Sequence, residues 1–167
     1  MRDARSKGIP SAGEGMVWPV SEDDYVIPPF DHTKDPTWKR AYGFDVGWHK
    51  TAAIFGAYDE VNDIVYIYDE YYMSEQDPVS HAAKIRVKTK GWIPGVIDPS
   101  ARKSREDGIR TIDEYIDNGL ELYKADNTRE TGILKVYNRL VTGRLKIFSS
   151  CTNLISEIRQ YAYDALS

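Results

Sequence analysis

Two aspartates carry the strongest chemical signal in this sequence. Asp45 lies at the end of the apolar run Ala41 to Val46 and is followed two residues on by Gly47, while Asp98 closes the run that begins at Gly95 and precedes Pro99. A carboxylate at the apolar end of a strand is costly unless it is paired, exposed or bound to metal. Taken singly, either residue also fits a turn or capping role, which Asp favours. Taken together, they can converge on one divalent ion if their strands are neighbours, because adjacent strands lie about 4.8 Å apart. Of the three histidines, His32 and His81 have no neighbouring ligand pattern, and the single cysteine leaves no pair for zinc. Oxygen ligands favour Mg²⁺ or Mn²⁺. Two such ions about 4 Å apart promote phosphodiester hydrolysis, a chemistry that usually employs three or four carboxylates.

Other polar residues read less sharply. Asp69 and Glu70 fall within the third strand and are expected to be structural or edge residues, and Asp59 and Asp63 belong to a hairpin turn. His49 and Lys50 follow the first strand directly, where they suit either phosphate contact or a plain loop. Tyr66, Tyr68, Tyr71 and Tyr72 suit strand packing better than a base-stacking platform. Between Lys84 and Arg110 there are eight basic residues against three acids, inside a chain of net charge −4. An acidic chain does not coat nucleic acid by bulk charge, so any DNA contact is local, weak and salt-dependent. Arg102, Lys103 and Arg105 follow Asp98 and are the best-placed cations; the alternative is a solvated helix face and loop.

The elements that must position these groups follow from periodicity. Residues 41–46, 51–58 and 64–72 are apolar or alternating, with a turn-rich DEVND segment before the last, and predict an antiparallel meander. A helix is expected over residues 77–88, with Pro78 in its first turn, Val79, Ala82 and Ile85 on its core side and Gly91 after it. A fourth strand follows at residues 95–98. Strand, helix and strand of that length suggest a right-handed crossover that makes the fourth strand the parallel neighbour of the first. Ile109, Ile112 and Ile116 line a further helix, and Leu120 to Tyr123 is extended. Ile133, Tyr137, Leu140 and Val141 line another helix, Leu145 to Phe148 is extended, and a last helix from about Thr152 turns Leu154, Ile158, Tyr161 and Ala162 inward. The expected class is α/β: a ribonuclease H-like mixed sheet of three antiparallel strands, then alternating helices and strands, flanked by helices.

The 167 residues suit one domain. Residues 1–40 hold five of the eight prolines and little periodicity, and read as an irregular segment wrapping a domain of residues 41–167. No stretch approaches the roughly 18 apolar residues of a membrane span, and the polar N-terminus lacks a signal-peptide core, so a cytosolic protein is expected. Cys151, alone, reads as a small core residue at a helix start.

The run Tyr42-Gly43-Phe44-Asp45-Val46-Gly47-Trp48-His49-Lys50-Thr51-Ala52-Ala53, with Gly95-Val96-Ile97-Asp98-Pro99-Ser100-Ala101-Arg102 further on, resembles the C-terminal nuclease domain of tailed-bacteriophage terminase large subunits. The lead-in Arg5 to Ser11, Gly13 to Gly15 and Val17 to Val20 resembles the family's passage from ATPase to nuclease, and Leu140 to Ile147 and the helix with Glu157 and Tyr161 keep the family's order. The resemblance implies an endodeoxyribonuclease with Asp45 and Asp98 as first and second metal ligands. It would use two Mg²⁺ or Mn²⁺ ions to cut concatemeric double-stranded viral DNA during packaging, in the host cytoplasm at the procapsid. In the full-length motor its partners would be the terminase small subunit and the portal protein. The chain holds no Gly-rich phosphate loop, so the packaging ATPase is outside it. The family's third acid usually lies farther beyond the second than the 69 residues that follow Asp98 here. Asp164-Ala165-Leu166 echoes that motif but comes early, which leaves Asp164 as a candidate third ligand beside the expectation of a domain truncated at its C-terminus and of low activity.

Two other readings fit parts of the sequence. Asp45-Val46-Gly47 also satisfies the Asp-x-Gly strand end of actin-like and sugar-kinase nucleotide-binding proteins, although those need a second such half. A ribonuclease H-like module can also be non-catalytic and dock on a portal or a DNA-bound partner.

Overall fold

Alternation of buried and exposed residues from Lys39 to Ser74 resolves into three long antiparallel strands. These are β2 (Lys39–Val46), β3 (Lys50–Asp59) and β4 (Ile64–Ser74). The computed structural model describes residues 21–47, 50–74, 77–97, 105–125, 136 and 138–166, with the backbone alone at 105–108 and 161–166. In β3 every second side chain from Thr51 to Asp59 is buried, so one face of the sheet is dry where β3 crosses it and the other is half-exposed. The β3–β4 register slips between Phe55 and Gly56, a bulge that increases local twist.

The remaining elements complete a mixed sheet. A helical turn, α1 (Glu22–Tyr25), leads into a two-residue strand, β1 (Val26–Ile27). Helix α2 (Pro78–Thr89) is capped by Asp77, which accepts from the Ser80 amide, and ends where Lys90 takes a left-handed φ of 54°. Then come β5 (Gly95–Ile97), α3 (Arg105–Asp117), β6 (Leu122–Lys124), β7 (Leu145–Phe148) and α4 (Thr152–Leu166). Among the described residues seven strands form one sheet in the order β1-β7-β4-β3-β2-β5-β6. β5 pairs parallel with β2, as the crossover predicted, and β7 pairs parallel with β4.

The N-terminal segment departs from expectation. Residues 22–40, read as irregular, contribute α1, the edge strand β1 parallel to β7, and the first two residues of β2. Phe30 and Trp38 pack their rings on Tyr66, which anchors this segment to the sheet. Residues 1–20 lie outside the described residues.

One core cluster joins Tyr42, Phe44, Phe55 and Ile97 of the sheet to Ala82 and Ile85 of α2 and to Ile112 and Tyr115 of α3. Burying each large apolar side chain contributes about 1.5–3 kcal/mol before entropy is charged against it. A second cluster joins Ile147 and Phe148 to Tyr25, Leu140, Cys151 and Ile155 of α4. Three expected core residues face water instead: Val79 is 61% exposed, Ile116 42% and Val141 47%. On α2 the buried stripe is His81, Ala82, Ile85 and Thr89, and on α3 Tyr115 lies inside where Ile116 was expected. Ile133 and Tyr137 lie outside the described residues.

Candidate metal centre

Asp45 owes its position to the alternation of β2. Tyr42 and Phe44 point into the first core, so Gly43 and Asp45 point to the opposite, exposed face. A β-carbon at Gly43 would meet no atom within 4 Å, so the sheet is open beside Asp45. Across the ladder Asp45 is in register with Ala52, and Ala52 with Tyr72, so all three share one level of that face. Gly47 donates its amide to the Lys50 carbonyl at 2.9 Å, and a β-carbon there would lie 2.6 Å from that oxygen. Only glycine fits this turn.

The parallel pairing of β2 with β5 runs Tyr42 to Gly95, Gly43 to Val96 and Phe44 to Ile97. Asp45 is thus the residue that follows the last paired position of β2, and Asp98 the residue that follows the last paired position of β5 in sequence. Asp98, Arg102, Lys103 and His49 lie outside the described residues. Arg105 is the first residue of α3, and Asp164 is in the last turn of α4. Lys50 opens β3 instead of lying in a loop, with its ammonium 5.2 Å from the centroid of the Tyr72 ring. Among the described residues no three His, Cys, Asp or Glu side chains gather to hold a metal.

Two of the acids set aside in the sequence have clear occupations. The Asp69 carboxylate meets Lys88 Nζ of α2 at 2.8 Å. Glu70 accepts from the amides of Asn153 and Leu154 and from Asn153 Nδ2 at 2.8–2.9 Å, closing the first turn of α4. Both oxygens of Glu70 are therefore engaged by α4, and β4 is an interior strand, not an edge. Two residues further along the same face, the carboxylate of Glu157 on α4 holds the Tyr72 phenol above its ordinary pKa. Sequence reasoning missed this link; the period-two spacing of Glu70 and Tyr72 was its visible trace.

The other reactive-looking features are structural. Cys151 is buried ahead of α4, and burial, reinforced by the negative charges of Glu70 and Asp69, pushes its thiol up to about 12, so it is no nucleophile. At the opposite end of the sheet an open cavity of about 420 Å³ is lined by Asp63, Asn138, Arg139, Thr142 and Arg144. Its charges satisfy one another, since Arg139 and Arg144 both pair with Asp63.

The family model for the terminase RNaseH-like domain matches residues 42–166, and the chain belongs to that family. Among curated proteins, the terminase large subunit of Salmonella phage P22 is 26% identical over 178 residues, which covers 98% of this chain and 34% of that protein. The chain therefore spans about a third of that relative's length. Among solved structures, the P22 large terminase nuclease domain superposes with a TM-score of 0.74 at 22% identity, covering 89% of this chain and 80% of that one. The large terminase nuclease domain of bacteriophage SPP1, with bound Mn, gives 0.59 at 15% identity over 83% of this chain and 78% of that one. The shared fold is ribonuclease H-like.

Proposed function

We propose that this domain is a metal-dependent endonuclease that cuts concatemeric double-stranded viral DNA during genome packaging, with Asp45 and Asp98 sharing a divalent ion. The observation that carries the reading is the in-register pair Phe44 and Ile97, each followed in sequence by an aspartate. Family membership and the Mn in the SPP1 domain's structure support the same chemistry. An exposed carboxylate beside the open floor at Gly43 suits a hard cation and leaves room for a phosphate. A Mg²⁺ or Mn²⁺ ion held there would supply an activated water and charge for the leaving oxygen. Asp45 and Asp98 would hold the ion, and Lys50, His49, Arg102, Lys103 and Arg105 would be the groups that meet the phosphate backbone.

Two carboxylates contribute a charge of about −2 against about +4 for two ions, so a further acid is needed for the second. Asp164 is that acid in this reading. It lies seven residues after Glu157 in the sequence of α4. In the whole protein the partners would be the small terminase subunit and the portal, at the procapsid in the host cytoplasm. No described helix is long and apolar enough to cross a membrane.

The test is a Mn²⁺ titration followed by electron paramagnetic resonance of the free ion. Asp45→Asn and Asp98→Asn should each weaken the tighter site by more than about tenfold while the melting temperature moves little. Unchanged titrations in both variants would remove the shared site.

A further inference from the structure

We infer that the outer face of α2 is a docking surface for an acidic amphipathic helix of a partner protein, seated on the stripe Val79, Ala83 and Val87 and held by the cations beside it. The surface is on the far side of the sheet from Asp45, since Ala82 and Ile85 of α2 share a core with Tyr42 and Phe44 while Asp45 points the other way.

The helix buries His81, Ala82, Ile85 and Thr89, which turns positions 79, 83 and 87 to the opposite side, where their spacing of four lines them up as one ridge. Val79 and Val87 are 61% and 78% exposed, and Trp92, 59% exposed, follows in the turn where Lys90 and Gly91 take positive φ. From Val79 to Val87 the ridge runs about 12 Å, a length that suits packing against another helix of two to three turns. Residues 78–90 hold Lys84, Arg86, Lys88 and Lys90 and no acid. Arg86 and Lys90 lie three residues beyond Ala83 and Val87 and border the ridge on one side, and Lys84 borders it on the other. The Arg86 stem is laid over the turn after α3, where a β-carbon at Gly119 would stand 3.2–3.3 Å from its Cδ, Nε and Cζ. Lys88 is taken up by Asp69 of β4. Apolar side chains exposed together mark an interaction site. Phosphates would neutralise these cations but leave the two valines and the indole wet. A helix with an apolar stripe edged by Asp and Glu covers both, and the same cations repel a basic helix.

The probe is a fluorescein-labelled synthetic peptide of about 20 residues, built from Leu, Glu and Ala with Leu at successive i, i+4 positions so that it forms an acidic amphipathic helix. Its fluorescence anisotropy is titrated with the whole chain, and amide shifts of ¹⁵N-labelled protein show where it sits. A scrambled peptide of the same composition, the same peptide with Lys for every Glu, and a short DNA duplex are the comparisons. The Leu/Glu peptide should bind at least about tenfold more tightly than either other peptide, shift amides between Val79 and Trp92, and weaken as salt is added. Val87→Asp, and Arg86→Glu combined with Lys90→Glu, should each weaken it by about tenfold or more, while Lys34→Glu in the N-terminal segment leaves it unchanged. All these side chains are exposed, so the melting temperature should hardly move. Equal affinity for the Leu/Glu and scrambled peptides, or full binding in both α2 variants, overturns the inference. So does a DNA duplex that shifts the same α2 amides and displaces the peptide, which would make the face a nucleic-acid surface. Self-association of the chain that Val87→Asp abolishes overturns it too, because a second copy would then be the occupant.

Discussion

The hydroxyl of Tyr71 on β4 lies 2.6 Å from Nδ1 of His81 on α2, and His81 is 1% exposed. With the ring neutral, Nδ1 accepts from the phenol. Burial holds His81 below its ordinary pKa, and the nearby Lys84 adds to the effect while Asp77 partly opposes it. The unfolded chain therefore takes up the proton first as pH falls. The contribution of this pair is complete above the ordinary histidine pKa of 6.5 and is lost as the pH drops below it. His32, lowered mainly by burial and by Arg40, acts in the same direction. Melting curves between pH 7.5 and pH 5 should thus show a smaller loss of stability in His81→Gln than in the wild type. Equal losses would mean that His81 is not a source of the pH dependence. Tyr71→Phe at pH 7.5 should cost about 1–2 kcal/mol by leaving Nδ1 unsatisfied.

Gly95 pairs with Tyr42, and a β-carbon there would fall 2.3 Å from Cζ of the Tyr42 ring. Gly95→Ala should push β5 away from β2 at a cost of about 1–3 kcal/mol, and with it the alignment of the strands that lead to Asp45 and Asp98. The Tyr42 hydroxyl itself is buried with no hydrogen-bond partner among the described residues. Burial drives its phenol up to about 12. Tyr42→Phe should accordingly be neutral or stabilising by up to about 1 kcal/mol in urea denaturation. A clear destabilisation would show that the hydroxyl has a partner in solution.

DNA binding should be weak, sequence-independent and steeply dependent on salt, because a chain of net charge −4 has only local cations to offer. Replacing Arg102, Lys103 and Arg105 together with Ala should lower the log–log salt slope by about 0.9 for each phosphate that is no longer neutralised. A slope equal to the wild type's would place the DNA-binding surface elsewhere.

The sequence revealed the meander and its crossover because strong signals agreed there. Period-two alternation marked β2 to β4, and Pro78 and Gly91 bracketed α2. It was less informative where polar residues were satisfied inside. His81 and Thr89 belong to the buried stripe of α2, and their polarity diverted the core assignment to Val79. Strand β1 left no pattern because two residues cannot show a period. At the site, Asp45 was visible as a strand-end acid, since a carboxylate closing an apolar run stands out against its neighbours. The role of Glu70 as a cap of α4 was not visible. It depends on amides more than 80 residues later, and sequence spacing carries no information about such a contact.

Nicking of supercoiled plasmid, with and without Mn²⁺, by the wild type, Asp45→Asn and Asp98→Asn tests the two-aspartate centre most directly. The wild type should convert plasmid to nicked circles only when Mn²⁺ or Mg²⁺ is present, and each variant should lose more than about a hundredfold in rate with its fold intact. Nicking by Asp45→Asn or Asp98→Asn at the wild-type rate, or by the wild type in excess chelator, would contradict the account.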